Sequence, residues 1–313
     1  MKQKIFKLTL KDFARVFETT LEDFPAQCKS VIEERNFEYR KMGQDERDRL
    51  LLKIIKRIDS GRMSVSGAHR MPDWERGWSE NLKEYEKTRD TYALTPKFVK
   101  PDLPVRLDGD YIVPSSDRFE FDFVDIQKRW LFNKYFKDKS AIYEFGCGSC
   151  QSFSLLAEMF PEKKIVGTDW VPASKKIIDK LVEFNGWNME GRLFDLFNPD
   201  KSFRIKEGSA VFTVGTLEQM GRNFESFLQY LLSNPIAVCL HLETTKELYD
   251  DSNLLDYLAL KFDAKRGYLD GFLTRLKELE KEGKIEILKI QKTPFGSLYH
   301  DGYSLIVWRP KKA

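Results

Sequence analysis

The stretch IYEFGCGSC, Ile142 to Cys150, constrains this chain more than any other. An apolar run of β character carries Glu144 near its end and turns through Gly-x-Gly at Gly146 and Gly148. The next segment, QSFSLLAEMF from Gln151 to Phe160, repeats its apolar residues at helical spacing. Without a Cβ, the two glycines can take positive φ and let a bound group approach the backbone within van der Waals contact. A strand, a glycine turn and a helix in that order belong to open α/β sheets that hold a nucleotide cofactor outside the carboxyl ends of their strands. The nicotinamide fingerprint would place a third glycine at position 151, where this chain has Gln151. It also does not usually set a carboxylate just ahead of its first glycine.

Downstream, the strands that such a sheet needs follow in order. KKIVGTDW, Lys163 to Trp170, is a short strand ending in Asp169, 21 positions beyond Gly148; a carboxylate there can accept from both hydroxyls of a ribose. GRLFDLFNPD, Gly191 to Asp200, sets Asp195 in an apolar frame of Leu193, Phe194, Leu196 and Phe197. SAVFTVGTLEQMG, Ser209 to Gly221, runs through Thr213, breaks at Gly215 and leads to Leu217, Glu218 and Gln219. PIAVCLHLE, Pro235 to Glu243, is a fifth buried strand, and KIEILKI, Lys284 to Ile290, pairs with YSLIVW, Tyr303 to Trp308, as a closing antiparallel couple.

In these motifs and their order the chain resembles the class I S-adenosylmethionine-dependent methyltransferases, from near Asp117 to the C-terminus. The resemblance implies an α/β fold, a doubly wound seven-stranded sheet whose last strand is antiparallel and inserted between the fifth and sixth, with an N-terminal helical extension. It implies S-adenosyl-L-methionine as cofactor, with Glu144, Gly146, Cys147 and Gly148 in the cofactor turn, Asp169 on the ribose and Trp170 flanking the adenine. It also implies Asp195 on the adenine amino group beside Leu196, and Thr213 and Gly215 under the methionine part. Arg118 and Tyr111 stand where relatives bring side chains toward the cofactor carboxylate, which needs a cationic or hydroxyl partner when partly buried. Many relatives carry His where this chain has Gln219, so the identity of any general base is open.

Residues 1–116 read as a separate helical region and residues 117–313 as the cofactor-binding domain. Thr9 to Arg40 and Asp45 to Ser60 both show helical spacing, Gly43 punctuates them, and a further helical patch runs from Ser79 to Thr91. Between them SGRMSVSGAHRMPDWERGW, Ser60 to Trp78, reads as an irregular packed loop, and Pro96, Pro101, Pro104 and Pro114 forbid regular helix across the connection. By analogy with relatives that act on small acceptors, this region is expected to lie as a lid over the cleft. Trp74, Trp78, Tyr92, His69 and Arg70 are candidate acceptor contacts, although aromatic residues at such density more often form core.

The chain has a net charge of +3, and its first 116 residues hold 23 basic and 20 acidic side chains, so the excess sits there but is scattered. Even the densest group, Lys53, Lys56 and Arg57, shares a helix with an apolar face and reads as its solvated side; nucleic acid is disfavoured as a partner. No apolar run approaches the roughly 18–20 residues that span a bilayer, and the lysine-rich N-terminus lacks the apolar core of a signal peptide, so a cytoplasmic location without a membrane partner is expected. Cys147 and Cys150 form a C-x-x-C, but with only Cys28, Cys239 and three histidines besides, no metal site is expected.

RFEFDFVDIQKRWLFNKYF, Arg118 to Phe136, reads as the helix ahead of the glycine-turn strand. The insert from Thr244 to Gly283 is helical with an interruption at Lys265, Arg266 and Gly267. Candidate catalytic groups are His241 and Glu243 at the end of the fifth strand and His300 in the loop LYHDGY. These features together point to methyl transfer to a small-molecule acceptor, hydroxyl ahead of amine or carbon, a sugar or secondary metabolite by analogy, with an oligomer left open. Two other readings stand beside it: a non-catalytic cofactor-binding scaffold, motivated by Gln219, and a nicotinamide oxidoreductase, weakened by Gln151 and Glu144.

Overall fold

A computed structural model describes residues 4–97, 99–100 and 103–311. The N-terminal region runs β1 (Ile5–Lys7), α1 (Leu10–Val16), α2 (Ala26–Glu34), β2 (Glu38–Lys41), α3 (Gln44–Asp59), α4 (Met71–Thr88), β3 (Val105–Leu107) and β4 (Asp110–Pro114). Thr9 starts α1 with a reciprocal cap: its hydroxyl accepts from the Asp12 N–H, and the Asp12 carboxylate accepts from the Thr9 N–H at 2.8 Å. The region is therefore not purely helical. The spacing over Thr9 to Arg40 resolves into two short helices and a strand, broken where Glu18 takes φ 46° and where Pro25 sits extended ahead of α2. Conversely α4 begins inside the expected loop, with Pro72 in its first turn, where a missing N–H costs nothing, so Trp74 and Trp78 lie on a helix. Pro101 lies outside the described residues.

The main body continues α5 (Phe119–Phe136), β5 (Ala141–Phe145), α6 (Phe153–Met159), β6 (Lys164–Asp169), α7 (Pro172–Asn185), β7 (Met189–Leu193), β8 (Ser209–Val214), α8 (Glu225–Leu232), β9 (Ile236–Glu243), α9 (Leu254–Arg266), α10 (Phe272–Lys281), β10 (Ile285–Gln291), β11 (Phe295–Gly296) and β12 (Ser304–Pro310). Seven of these strands form one sheet in the order β10-β12-β9-β8-β5-β6-β7. β5, β6, β7, β8 and β9 are parallel, and β12 runs antiparallel between β9 and β10. Strand order reverses between β5 and β8, and ligands of open α/β sheets bind in the crevice outside the strand ends at such a point. The expected break in the insert is present: Gly267 ends α9 in the left-handed conformation, and Asn253 caps its start by accepting from the Leu255 and Asp256 N–H groups.

A smaller antiparallel sheet has the order β1-β2-β4-β3-β11, and its fifth strand arrives from the far end of the chain. This is the main departure from the expected helical extension. Between the two sheets lies α5, which buries residues all round rather than along one stripe. Phe13, Phe17, Phe24 and Phe37 pack onto its Phe119, Phe123 and Trp130, and Phe295 of β11 stacks on Phe123 at 3.6 Å. Its buried acids are paired, Asp122 and Asp125 with Arg35 at 2.9 and 2.8 Å. No helix among the described residues is long and apolar enough to cross a membrane.

Candidate cofactor cleft

The glycine turn opens a cleft at the carboxyl ends of β5, β6 and β8. Gly146 has φ +69°, and a Cβ there would stand 2.0 Å from Cγ2 of Thr216, whose hydroxyl donates to the Gly146 carbonyl at 3.0 Å. Only glycine lets the β5 and β8 turns meet this closely. Gly148 donates its N–H to Oδ2 of Asp169 at 2.8 Å, and Val171 donates to Oδ1 at 3.1 Å, so the carboxylate is fixed at the tip of β6. Burial lifts the Asp169 pKa to about 6 against these stabilising N–H groups.

Deeper in the cleft, Glu144 and Lys128 are each 4% exposed. Lys128, from α5, donates to the Ser152 hydroxyl at 3.0 Å, which donates to Oε1 of Glu144 at 3.3 Å. Burial opposes charge on both: it raises Glu144 to about 8 and lowers Lys128, while their mutual attraction works the other way. Oε2 of Glu144 and Oε1 of Gln219 are buried without a hydrogen-bond partner, and both residues line the cleft. An unsatisfied buried polar atom costs about 1–3 kcal/mol, and a polar ligand in the cleft would offset that cost.

Flat apolar surfaces complete the walls. Trp170 stacks on Phe197 with centroids 5.6 Å apart beside Phe194 and Leu196; opposite, α4 contributes Trp74 and Trp78, stacked at 5.4 Å, with Pro96 nearby. A Cβ on Gly148 would stand 3.0 Å from the Trp78 ring, so the N-terminal region closes directly onto the glycine turn. Cys147 is buried in the same wall, its thiol 3.8 Å from that of Cys150, and burial raises both thiol pKa values. No group of three or more His, Cys, Asp or Glu among the described residues is arranged to hold a metal ion.

The structure brings Glu144, Gly146, Cys147, Gly148, Asp169, Trp170, Leu196 and Gly215 to one cleft and leaves other candidates outside it. Asp195 closes its own loop, accepting from the Phe197 N–H and the Asn198 amide, both at 2.8 Å. Thr213 and His241 form a closed unit: Nδ1 of His241 meets the Thr213 hydroxyl at 2.9 Å, and Nε2 accepts from the Trp308 indole at 3.0 Å. With both ring nitrogens engaged and burial lowering its pKa to about 3, His241 is built as a neutral structural group rather than a base. Glu243 is likewise internal, raised to about 8 by burial and by Glu218, and it accepts from the Thr216 and Glu218 N–H groups to shape the turn after β8.

Tyr111 is buried in a separate apolar cluster and donates to the Leu298 carbonyl at 2.8 Å. Arg118 lies over the Tyr92 ring at 4.3 Å, away from the cleft wall, and Arg70 lies over Trp74 at 5.1 Å. Among the described residues the cation that lines the cleft is Lys128, which sequence reasoning missed. The signal was present: a lysine in FVDIQKRWLF, a segment with apolar residues on either side of it, where a buried charge must either face a ligand or find a partner. His300 stands outside this cleft, with Nδ1 2.8 Å from Oδ1 of Asp263.

Strand order, the antiparallel strand β12 set between β9 and β10, and a glycine-turn cleft at the parallel strand ends match the doubly wound seven-stranded sheet expected from the sequence. No family model matches the chain, and no curated protein matches it. Solved structures similar to it include magnesium protoporphyrin IX methyltransferase (ChlM) from Synechocystis PCC 6803 with bound SAH, at 14% identity and TM-score 0.45, covering 60% of this chain and 82% of that one. The N-terminal domain of EvdMO1 with SAH bound is 17% identical at TM-score 0.42, covering 73% and 97%. The 16S rRNA methylase ArmA is 13% identical at TM-score 0.44, covering 75% and 98%.

Proposed function

We propose that this chain is an S-adenosylmethionine-dependent methyltransferase acting on a hydroxyl of a small molecule. The observation that carries the reading is the set of orphaned polar atoms, Oε2 of Glu144 and Oε1 of Gln219, in a cleft that also holds a glycine cradle, a fixed carboxylate and a buried lysine. Each feature suits one part of the donor. Asp169 accepts from the ribose hydroxyls, the Trp170, Phe197 and Leu196 surfaces take the adenine, and Lys128 pairs with the methionine carboxylate. Glu144 and Gln219 remain for the amino group and its surroundings.

When bound, the donor supplies an electrophilic methyl carbon on a sulfonium. The chain's own contribution is positioning and exclusion of water, the larger part of catalysis for such a displacement. Trp74 and Trp78 of α4 form the outer wall, and this enclosure favours a small acceptor over nucleic acid. Four free buried cysteines suit the cytoplasm.

Calorimetric titration with S-adenosylhomocysteine and, separately, with reduced nicotinamide dinucleotide tests the reading. Binding of the first alone supports it. Binding of the second alone would install the oxidoreductase, and binding of neither would leave a scaffold.

A further inference from the structure

Beside the donor cleft lies a cluster of ionisable groups that the donor reading does not use. Glu218, after β8, lines the cleft and accepts from the Gln219 amide at 3.0 Å. Glu120, in the first turn of α5, accepts from the Tyr303 hydroxyl at 2.9 Å. Neither carboxylate has an ion pair among the described residues, and burial raises the pKa of both. The Tyr303 hydroxyl ties Glu120 to the loop that carries His300, and His300 acts electrostatically on both carboxylates.

His300 supplies the second observation. The residue is 9% exposed and its ring is packed by Tyr268, stacked at 5.8 Å, and by Phe262, edge-on at 5.3 Å. Asp263 holds Nδ1 at 2.8 Å and is itself held through Oδ2 by the Thr244 hydroxyl at 2.8 Å. Nε2 makes no hydrogen bond among the described residues, in contrast to the same atom of His241. Gly302 lies beside the ring, and a Cβ there would stand 3.5 Å from Nε2, in van der Waals contact. A buried imidazole fixed at one nitrogen by a carboxylate and open at the other is arranged to take a proton. The charged groups around it are Asp263 on α9, Glu218 after β8, Glu120 on α5, Arg106 on β3 and the adjacent Asp301. Burial works against the imidazolium, yet Asp263 and then Glu218 outweigh it and Arg106, and the pKa is raised above the ordinary 6.5.

We propose that this cluster is the acceptor subsite and takes a small hydroxylated amine, its ammonium group paired with Glu120 and Glu218 and its hydroxyl facing Nε2 of His300. The assignment rests on the methyl-transfer reading. The acceptor O–H bond breaks as its oxygen bonds the methyl carbon; the proton passes to Nε2, and the electron pair of the broken C–S bond leaves with sulfur. His300 then returns the proton to solvent. Asp263 is a positioning residue, since it acts only through His300.

Two-dimensional NMR of the His300 ring in the full chain, saturated with S-adenosylhomocysteine, tests the subsite. Failure of S-adenosylhomocysteine to bind would sink the methyl-transfer reading itself and is seen separately. With it bound, millimolar glucosamine should shift the His300 signals, while glucose and glucuronate at the same concentration should not, and Glu120→Gln should reduce the glucosamine shift severalfold. Equal shifts from all three sugars, a larger shift from glucuronate, or no shift from glucosamine would overturn the amine assignment. The His300 pKa should lie above 6.5 in the native chain and fall below it in Asp263→Asn. A native value below 6.5 would overturn the base assignment even if the variant failed to fold.

Discussion

The proposed donor cleft and the closed unit around His241 lie at neighbouring strands of one sheet, and both hold buried carboxylates, Glu144 and Asp169 in the one and Glu243 in the other. In the closed unit the polar groups of His241 meet partners on Thr213 and Trp308, and the Glu243 carboxylate is taken up by the N–H groups of Thr216 and Glu218. In the cleft, Glu144 and Gln219 each keep an oxygen without a partner. Residue type therefore does not separate these two regions, whereas unsatisfied hydrogen-bonding capacity within a cleft does. The same distinction separates the two buried histidines, closed at both nitrogens in His241 and open at Nε2 in His300.

Mutations on the two sides should have opposite signatures. His241→Ala strands the Trp308 indole N–H and leaves a cavity, and should cost about 3–4 kcal/mol of stability by denaturant unfolding while sparing the donor affinity of folded protein. A comparable loss of donor affinity would erase the contrast. Lys128→Met removes a charge-assisted contact and should weaken S-adenosylhomocysteine by about 1.5–3 kcal/mol in calorimetry. Asp169→Ala should weaken it by about 1–3 kcal/mol through lost ribose hydrogen bonds. Asp195→Ala, which loses only a local loop closure, should change donor affinity by less than about 0.5 kcal/mol; a larger loss would place its carboxylate on the adenine in solution.

A pH series sharpens the same comparison. Asp169 has a folded pKa of about 6 against an ordinary 3.8, so between those values the folded chain keeps a proton that the unfolded chain has released. Its contribution to stability therefore falls as pH rises through that window. Donor affinity should move the other way, rising as the carboxylate forms, because the ribose hydroxyls need an acceptor. His241, lowered to about 3, should contribute no change in donor affinity between pH 5 and 8. Calorimetric affinities measured from pH 5 to 8 check both statements.

The parts of this molecule that were legible in the sequence are those whose signals are local. The glycine turn, Asp169 at a strand tip, and the strands β5, β6, β8, β9, β10 and β12 each announce themselves within a few residues. The N-terminal region was not legible as a sheet because β11 lies far along the chain from β3, and no local pattern encodes a two-residue strand completed from a distance. Thr9 to Arg40 reads as helical spacing, yet its Phe13, Phe17, Phe24 and Phe37 converge on α5 from separate segments. Lys128 was passed over because an apolar helix invites reading by its hydrophobic residues. His241 was overvalued because position at a strand end is visible in sequence, whereas the indole of Trp308 that occupies its second nitrogen is not.

The most direct test is calorimetric titration of S-adenosylhomocysteine into the native chain and Lys128→Met side by side. A methyl-donor cleft built around unsatisfied polar atoms should give micromolar binding that weakens by roughly tenfold or more in the variant. Native binding that the substitution leaves unchanged would contradict the assignment of Lys128 to the donor carboxylate, and no native binding would contradict the donor cleft as a whole.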